Sequence, residues 1–356
     1  MALWELDEFQ GPQFLGYIRN VPEPAQFTGT RYLPNDTVFD LQVEYVKGTQ
    51  YKPVMAHVIS WDSEAPIGSK PGLGEKVQLE LPPIKRKERI SEKEIIRFLT
   101  PRSGTPDKQI AIDSVYNIVR RLLDAIHSRA EWLRMQALTE ATLTYAEDGV
   151  QFSFDYGFDS NLQVDQATTV GLGDNWDTVA TANPIADLQF VAALYEETTG
   201  FPLDKIVLSK KVIGYLLQNA AARTLIRGTG SATAQLARAE LDTLFELYGL
   251  PRLETYDAQV YHEDLAGTVT TVRPMDYHKA IGLPSFTVGN TLWGPTAESR
   301  GLYGTPLASE APGLYAVVYG TEDPPSEWVK TVGVAIPSIP EAEKVLQWDN
   351  ILSSGV

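Results

Sequence analysis

Residues 107 to 148 contain neither proline nor glycine, and this run constrains the chain more than any other feature. Within it Ile112, Val115, Tyr116, Val119, Leu122, Leu123, Ile126, Ala130 and Leu133 recur three and four apart. Arg120, Arg121, Asp124, Arg129, Glu131 and Arg134 fill much of the rest. That spacing is the period of one helix face and predicts a continuous amphipathic helix over about 107–145. At about 1.5 Å per residue it would be on the order of 50 Å long. Few compact domains can cover such a helix along its whole face. It is expected to be a spine, with a flatter body built along it.

The chain has 356 residues, enough for two or so domains with a sizeable core. Hydrophobic residues make up 43% and charged residues 21%, as in an ordinary folded soluble protein. No apolar run is long enough to cross a bilayer, and no basic segment followed by an apolar one opens the chain. There is no cysteine, which excludes disulfides, Fe–S clusters, Cys-based zinc sites and thiol catalysis. A net charge of −16 repels nucleic-acid backbone over most of the surface, so any DNA partner would meet a local patch or simply be enclosed.

Residues 1–36 read as an arm. Pro12, Pro22, Pro24 and Pro34 interrupt helix formation, while Trp4, Leu6, Phe9, Phe14, Leu15, Tyr17, Ile18 and Phe27 are too apolar for a solvated tail. Two readings stand: an extended arm lying on this or a neighbouring subunit, or a partly disordered terminus. Phe39, Leu41, Val43 and Tyr45 alternate with polar residues and predict a half-buried strand over 37–45. Residues 54–61 and 76–84 predict a long hairpin whose tip, 62–75, is rich in Pro and Gly. Residues 85–97 interleave Lys85, Arg86, Lys87, Arg89, Lys93 and Arg97 with Glu88, Glu92 and Glu94. A DNA patch is conceivable there; the mixed signs favour a solvated, mutually paired face, with a short helix from the Ser91–Glu94 capping spacing. After the spine, Asp148-Gly149 predicts a tight turn joining 142–145 to the alternating strand 150–156.

From about residue 171 the pattern changes to α/β. Asn183-Pro184 and Gly200 bracket a helix, 205–208 is a short buried strand, and Ser209 caps a helix to about Asn219. Ser231 is expected to open a longer helix closed by Gly249. Strands are expected at 253–261 and 269–273 around a polar turn at 262–267, and again at 315–319 and 328–336. The domain reading is an arm, 1–36; a first domain, 37–164; an inserted α/β domain, 165–310; and a return to the first domain, 311–356.

Sites for chemistry are scarce. P-loop, HExxH, GxSxG and GxGxxG patterns are all missing. His57, His127, His262 and His278 are scattered. His262-Glu263-Asp264 reads as a turn surface in preference to a metal site, because consecutive residues cannot easily share one ion. Gly171-Leu172-Gly173-Asp174 reads as a loop in preference to an anion cradle. No catalytic, cofactor-binding or metal-binding residue is assigned, and no cofactor is expected. The apolar arm, the overhanging hairpin and the elongated spine are features made for neighbours and predict self-assembly.

Several stretches resemble one family: residues 129–138 (RAEWLRMQAL), 183–188 (NPIADL), 201–208 (FPLDKIVL), 294–298 (GPTAE) and the strand ending at 337–340 (PSIP). In their order and spacing they are similar to tailed-bacteriophage major capsid proteins of the HK97 fold, in particular the lambda-type major capsid protein E family. The resemblance implies an α+β fold with an N-terminal arm (1–36), an E-loop (about 47–83), a spine helix (about 107–145) in a peripheral domain and an α/β axial domain (165–310). It implies a structural subunit, not an enzyme, that forms hexamers and pentamers and closes an icosahedral head around double-stranded DNA. The implied setting is the virion, assembled in the bacterial cytoplasm, with no membrane. Implied partners are a separate scaffolding protein, a portal and, in the lambda type, a decoration protein. Some relatives are cross-linked through Lys and Asn; Lys70 lies in the E-loop, and nothing in the sequence assigns it that role. Two other readings are an encapsulin-like compartment shell and, in a different class, a soluble oligomeric α/β enzyme.

Overall fold

The computed structural model describes residues 12–46, 76–91, 93, 108–147, 150–228, 235–264, 266–298, 313–322 and 325–353. In chain order the elements are α1 (Pro12–Asn20), β1 (Asn35–Thr37), β2 (Gln42–Val46), β3 (Lys76–Glu80), β4 (Pro83–Ile90), α2 (Lys108–Thr139), β5 (Thr142–Glu147), β6 (Val150–Asp155) and β7 (Gln163–Asp165). There follow α3 (Pro184–Thr199), β8 (Lys205–Leu208), α4 (Lys210–Gln218), α5 (Ala220–Arg227), α6 (Arg238–Tyr248), β9 (Arg252–Thr255), β10 (Val260–Glu263), β11 (Val269–Val272) and β12 (Ala280–Leu283). The chain closes with β13 (Asn290–Trp293), β14 (Leu314–Glu322), β15 (Pro325–Ser338) and β16 (Leu346–Asp349). The expected strand at 54–61, the hairpin tip at 62–75, most of the helix expected after Ser91, the turn at 148–149 and Ser231 lie outside the described residues, but the helix expected to run from Ser231 through Ala237 starts only at Arg238, with Ala237 in extended backbone before it.

The chain divides into two compact units. Residues 1–43, 78–134 and 290–338 form one; residues 44–77, 135–289 and 339–356 form the other. The first is built on the sheet β1-β13-β15-β14, with β4 also paired to β15. The apolar face of α2 covers it. Ile112, Val115, Val119, Leu122 and Leu123 pack with Ile90, Ala316, Val318 and Val329 of the strands and with Phe14 and Ile18 of α1. Further along, Ile126 and Ala130 meet Trp293 and Ala335. Gly333 permits that approach, since a Cβ there would lie 2.6 Å from Ile126 Cγ2.

In the second unit the sheet order is β7-β16-β12-β8-β9. Residues of α3, α4 and α6 pack on it around Trp176, Tyr195, Leu216, Phe245 and Trp348. The local signals for α3 act as expected: the Asn183 side chain accepts from Ala186 N, Pro184 opens the helix, and Gly200 closes it at φ 77°.

Five expectations are corrected. Pro12 does not break a helix but starts one, because a proline in the first turn sacrifices no helical hydrogen bond. The strand expected over 37–45 is interrupted at 38–41, where Asp40 Oδ1 accepts from Leu41 N at 2.7 Å. Phe39 and Leu41 are left 66% and 49% exposed there. Residues 85–90, expected to be a solvated, mutually paired charged face, instead form a strand with 83–84, which the strand expected over 76–84 had included: β4, separate from β3 and antiparallel to β15 from Ile90↔Glu327 to Pro83↔Val334. The spine helix ends at Thr139, not 145: Ala141 takes φ 57° and the β-branched and aromatic residues 142–145 enter the β5–β6 hairpin. The run 253–261 is two strands, β9 in the five-stranded sheet and β10 paired with β11.

The unit boundaries also differ from the sequence division. β13 joins the first unit's sheet beside β15, and residues 135–164 belong to the second unit. β16 sits in the second unit between β7 and β12, because Leu346 and Trp348 complete that core.

Candidate functional site: a buried ionic node on the long helix

The first unit encloses a charged cluster centred on Arg134, whose side chain is 0% exposed. A buried guanidinium is tolerable only when its donors are met. All five are. Nε donates to Thr291 Oγ1 at 2.8 Å. Nη1 donates to Glu23 Oε2 at 2.9 Å and Glu131 Oε2 at 3.2 Å. Nη2 donates to Glu23 Oε1 at 3.2 Å and Asn35 Oδ1 at 2.6 Å. The acceptors are themselves held. Glu131 Oε1 takes Gly29 N at 2.9 Å, Asn35 Oδ1 takes Trp293 Nε1 at 2.9 Å, and Thr291 Oγ1 donates to Leu33 O at 3.0 Å. Helix α2 is thereby tied to the segment after α1, to β1 and to β13.

His127, about two turns before Arg134 on the same helix, is buried with Nδ1 3.7 Å from Glu23 Oε1. Neither ring nitrogen has a hydrogen-bond partner among the described residues. Burial lowers the His127 pKa; the Glu23 and Asp124 charges pull it up and the Arg134 charge down, with a net lowering. Burial pushes Glu23 up, but the hydrogen bond and charge of Arg134 and the Asn35 hydrogen bond outweigh it, so its pKa falls below the ordinary value. The lowered values keep the Glu23 carboxylate ionised against Arg134 and the His127 imidazole neutral at neutral pH. Nothing in it is arranged as a nucleophile beside a base. It is a clasp for the fold.

The second unit has its own clasp. Asp187, buried in the first turn of α3, accepts Gly173 N, Gln166 Nε2 and Trp176 Nε1, each at 2.9 Å. Gln166 Oε1 in turn takes Trp348 Nε1 at 3.1 Å, and the Trp176 and Trp348 rings meet edge to face at 5.3 Å. The Gly171–Asp174 loop thus points its Gly173 amide at an internal carboxylate. At 262–264, His262 and Glu263 lie in β10, and Asp264 accepts Thr268 N at 2.7 Å to close the β10–β11 turn. His278 lies in the second unit near Asp349, and His57 lies outside the described residues. Among the described residues no group of three or more His, Asp or Glu could hold a metal ion, and no helix is long and apolar enough to cross a membrane.

The node was not legible in the sequence. Its members come from residues 23, 29, 35, 127–134 and 291, and only the Glu131–Arg134 spacing on one helix face hints at it.

A sheet crossed by a 32-residue helix, with a second α/β unit in the same chain, defines the class: an α+β capsid fold of the HK97 type. Two solved structures share it. One is described provisionally as a prophage capsid protein of Escherichia coli CFT073; it is 18% identical, covers 95% of this chain and 97% of its own, and has a TM-score of 0.63. The other is a phage-related protein of Bordetella bronchiseptica RB50, 12% identical, covering 96% and 97%, with a TM-score of 0.56. No curated protein matches the chain. Residues 13–333 match the family described as phage major capsid protein E, and the chain belongs to that family.

Proposed function

We propose that this chain is the structural shell subunit of a phage head, assembling as hexamers and pentamers into an icosahedral capsid around double-stranded DNA. The family match over residues 13–333 carries this reading. On it the first unit is the peripheral domain, with α2 as its spine, and the second is the axial domain. The segment 12–36, clasped to its own subunit's helix by Glu23, Gly29 and Asn35, is the root of the N-terminal arm. The role is mechanical, the setting is the virion after assembly in the host cytoplasm, and no catalytic residue or cofactor is involved. A scaffolding protein, a portal and a decoration protein are the proposed partners.

The test is negative-stain electron microscopy of the purified chain with light scattering, alone and after co-expression with the scaffolding gene from the same genome. Closed shells, or capsomer-sized rings and tubes, support the reading. Monomers or small oligomers that persist with scaffolding protein present overturn it. Shells that enclose a protein cargo in place of DNA would redirect it to a compartment shell.

A further inference from the structure

The charge run at 85–89 is mixed in sequence but sorted in the structure. Because β4 is a strand, its side chains alternate between the two faces of the sheet. Residues opposite one another in an antiparallel pair point to the same side. The register sets Lys85 against Val332, Lys87 against Lys330 and Arg89 against Trp328; across β15 the next strand sets Tyr315 against Val332, Val317 against Lys330 and Tyr319 against Trp328. One face of the three strands therefore carries Lys85, Lys87, Arg89 and Lys330 among Tyr315, Trp328 and Tyr319. Lys87 Nζ stands 4.5 Å from the centre of the Trp328 ring, which places both on that side. Glu88 goes to the other face, where it meets Arg121 of α2 at 2.6 Å. That other face also carries Ile90, Ala316, Val318 and Val329, the residues packed under α2.

Among the described residues the outward face carries four cations and one carboxylate. Glu298 lies 2.5 Å from Lys330 and 3.6 Å from Lys85. Among the described residues Lys87 and Arg89 have no carboxylate within ion-pair distance, and both are exposed. This sits on a chain of net charge −16, so the cations are concentrated against the trend of the molecule. Exposed Lys85, Lys87 and Arg89 beside half-buried aromatic rings, on a face covered in part around Val332 and Glu298, suit a polyanion with flat bases, which can pair its phosphates and lay bases on the rings without reading sequence.

We propose that the β4–β15–β14 face binds the phosphate backbone of nucleic acid, independently of sequence. The proposal does not rest on the capsid reading, because the face belongs to the folded subunit whatever its assembly. The test is fluorescence anisotropy of the full-length chain with a short labelled DNA, single-stranded and duplex, across a salt series. Binding is expected at about 50 mM salt, with log K falling against log salt at a slope of about −2 to −3 for three or so phosphate contacts. The Lys87→Glu/Arg89→Glu variant is expected to weaken binding about tenfold or more and to flatten the slope by about 1 to 2. A control of equal charge change, Lys210→Glu/Arg252→Glu in the second unit, is expected to weaken it less than about twofold. If the reversed variant does not fold, Lys87→Gln/Arg89→Gln removes the same charges. Absence of binding at low salt overturns the proposal. So does equal loss in the control, or an unchanged slope in the variant. Displacement of the DNA by a polyglutamate peptide at lower charge concentration would assign the face to an acidic protein segment and overturn it as well.

Discussion

Replacing Arg134 with Met tests the idea that the node clasps the first unit. The substitution keeps much of the side-chain volume and removes one charge. It strips Glu131, whose side chain is 0% exposed, and Glu23, whose side chain is 16% exposed, of their cation. It also leaves Thr291 Oγ1 and Asn35 Oδ1 each without one donor. Breaking a buried ion pair from one side costs about 3–5 kcal/mol, because the remaining charge is stranded without solvent. For a unit of this size that lowers Tm by on the order of 10 °C. The cost should come from stranded charge rather than lost packing, so the double variant Arg134→Met/Glu131→Gln should recover part of it, about 1–2 kcal/mol. Urea unfolding of the two single variants and the double, followed by circular dichroism and tryptophan fluorescence, gives the cycle. A loss below about 1 kcal/mol in Arg134→Met would refute the reasoning, as would strict additivity in the double variant.

Three further outcomes follow from the same packing. Burial holds His127 neutral, so the unfolded chain takes up a proton first as pH falls; its contribution is complete above the ordinary value of 6.5 and is lost as pH drops below it. Glu23, with its pKa lowered, contributes stability present above 4.5 and lost as pH falls through its folded value, in a more acidic window. Unfolding midpoints between about pH 8 and pH 5.5 should therefore fall in the wild type and stay flatter in His127→Phe; parallel curves would contradict the assignment. Gly29→Ala places a Cβ 2.5 Å from Glu131 Oε2 and should cost about 1–3 kcal/mol, whereas Gly214→Ala, inside α4 with nothing within 4 Å of the new Cβ, should stabilise by about 0.5–1 kcal/mol; thermal melts of the pair decide it. Leu122→Asp buries a charge under α2 and should cost more than about 3 kcal/mol, while Arg121→Asp at an exposed position should cost less than about 1 kcal/mol, read as soluble yield and urea midpoint.

Features that depend only on neighbours a few residues away were legible along the chain. The apolar period of three and four over residues 112–133 is enough to specify α2, since a helix closes its own hydrogen bonds. Asn183-Pro184 and Gly200 set the ends of α3 because capping uses adjacent backbone groups. The order of such segments carried the family resemblance. The tertiary structure decided whatever depends on distant partners. Residues 85–90 look like a solvated, mutually paired charged face until β15, some 240 positions later, supplies the ladder that makes them a strand and sorts Lys85, Lys87 and Arg89 away from Glu88. Residues 142–145 (TLTY) favour a strand, and their pairing with 150–155 was legible; what the structure decided is that α2 stops at Thr139, where the chain turns through Ala141 at φ 57°. Arg134 reads as one more solvated arginine of the spine; Glu23 at a separation of 111, Asn35 at 99 and Thr291 at 157 turn it into a fully enclosed charge. Burial and charge pairing are sums over space, and a linear sequence orders only the terms that lie close along the chain.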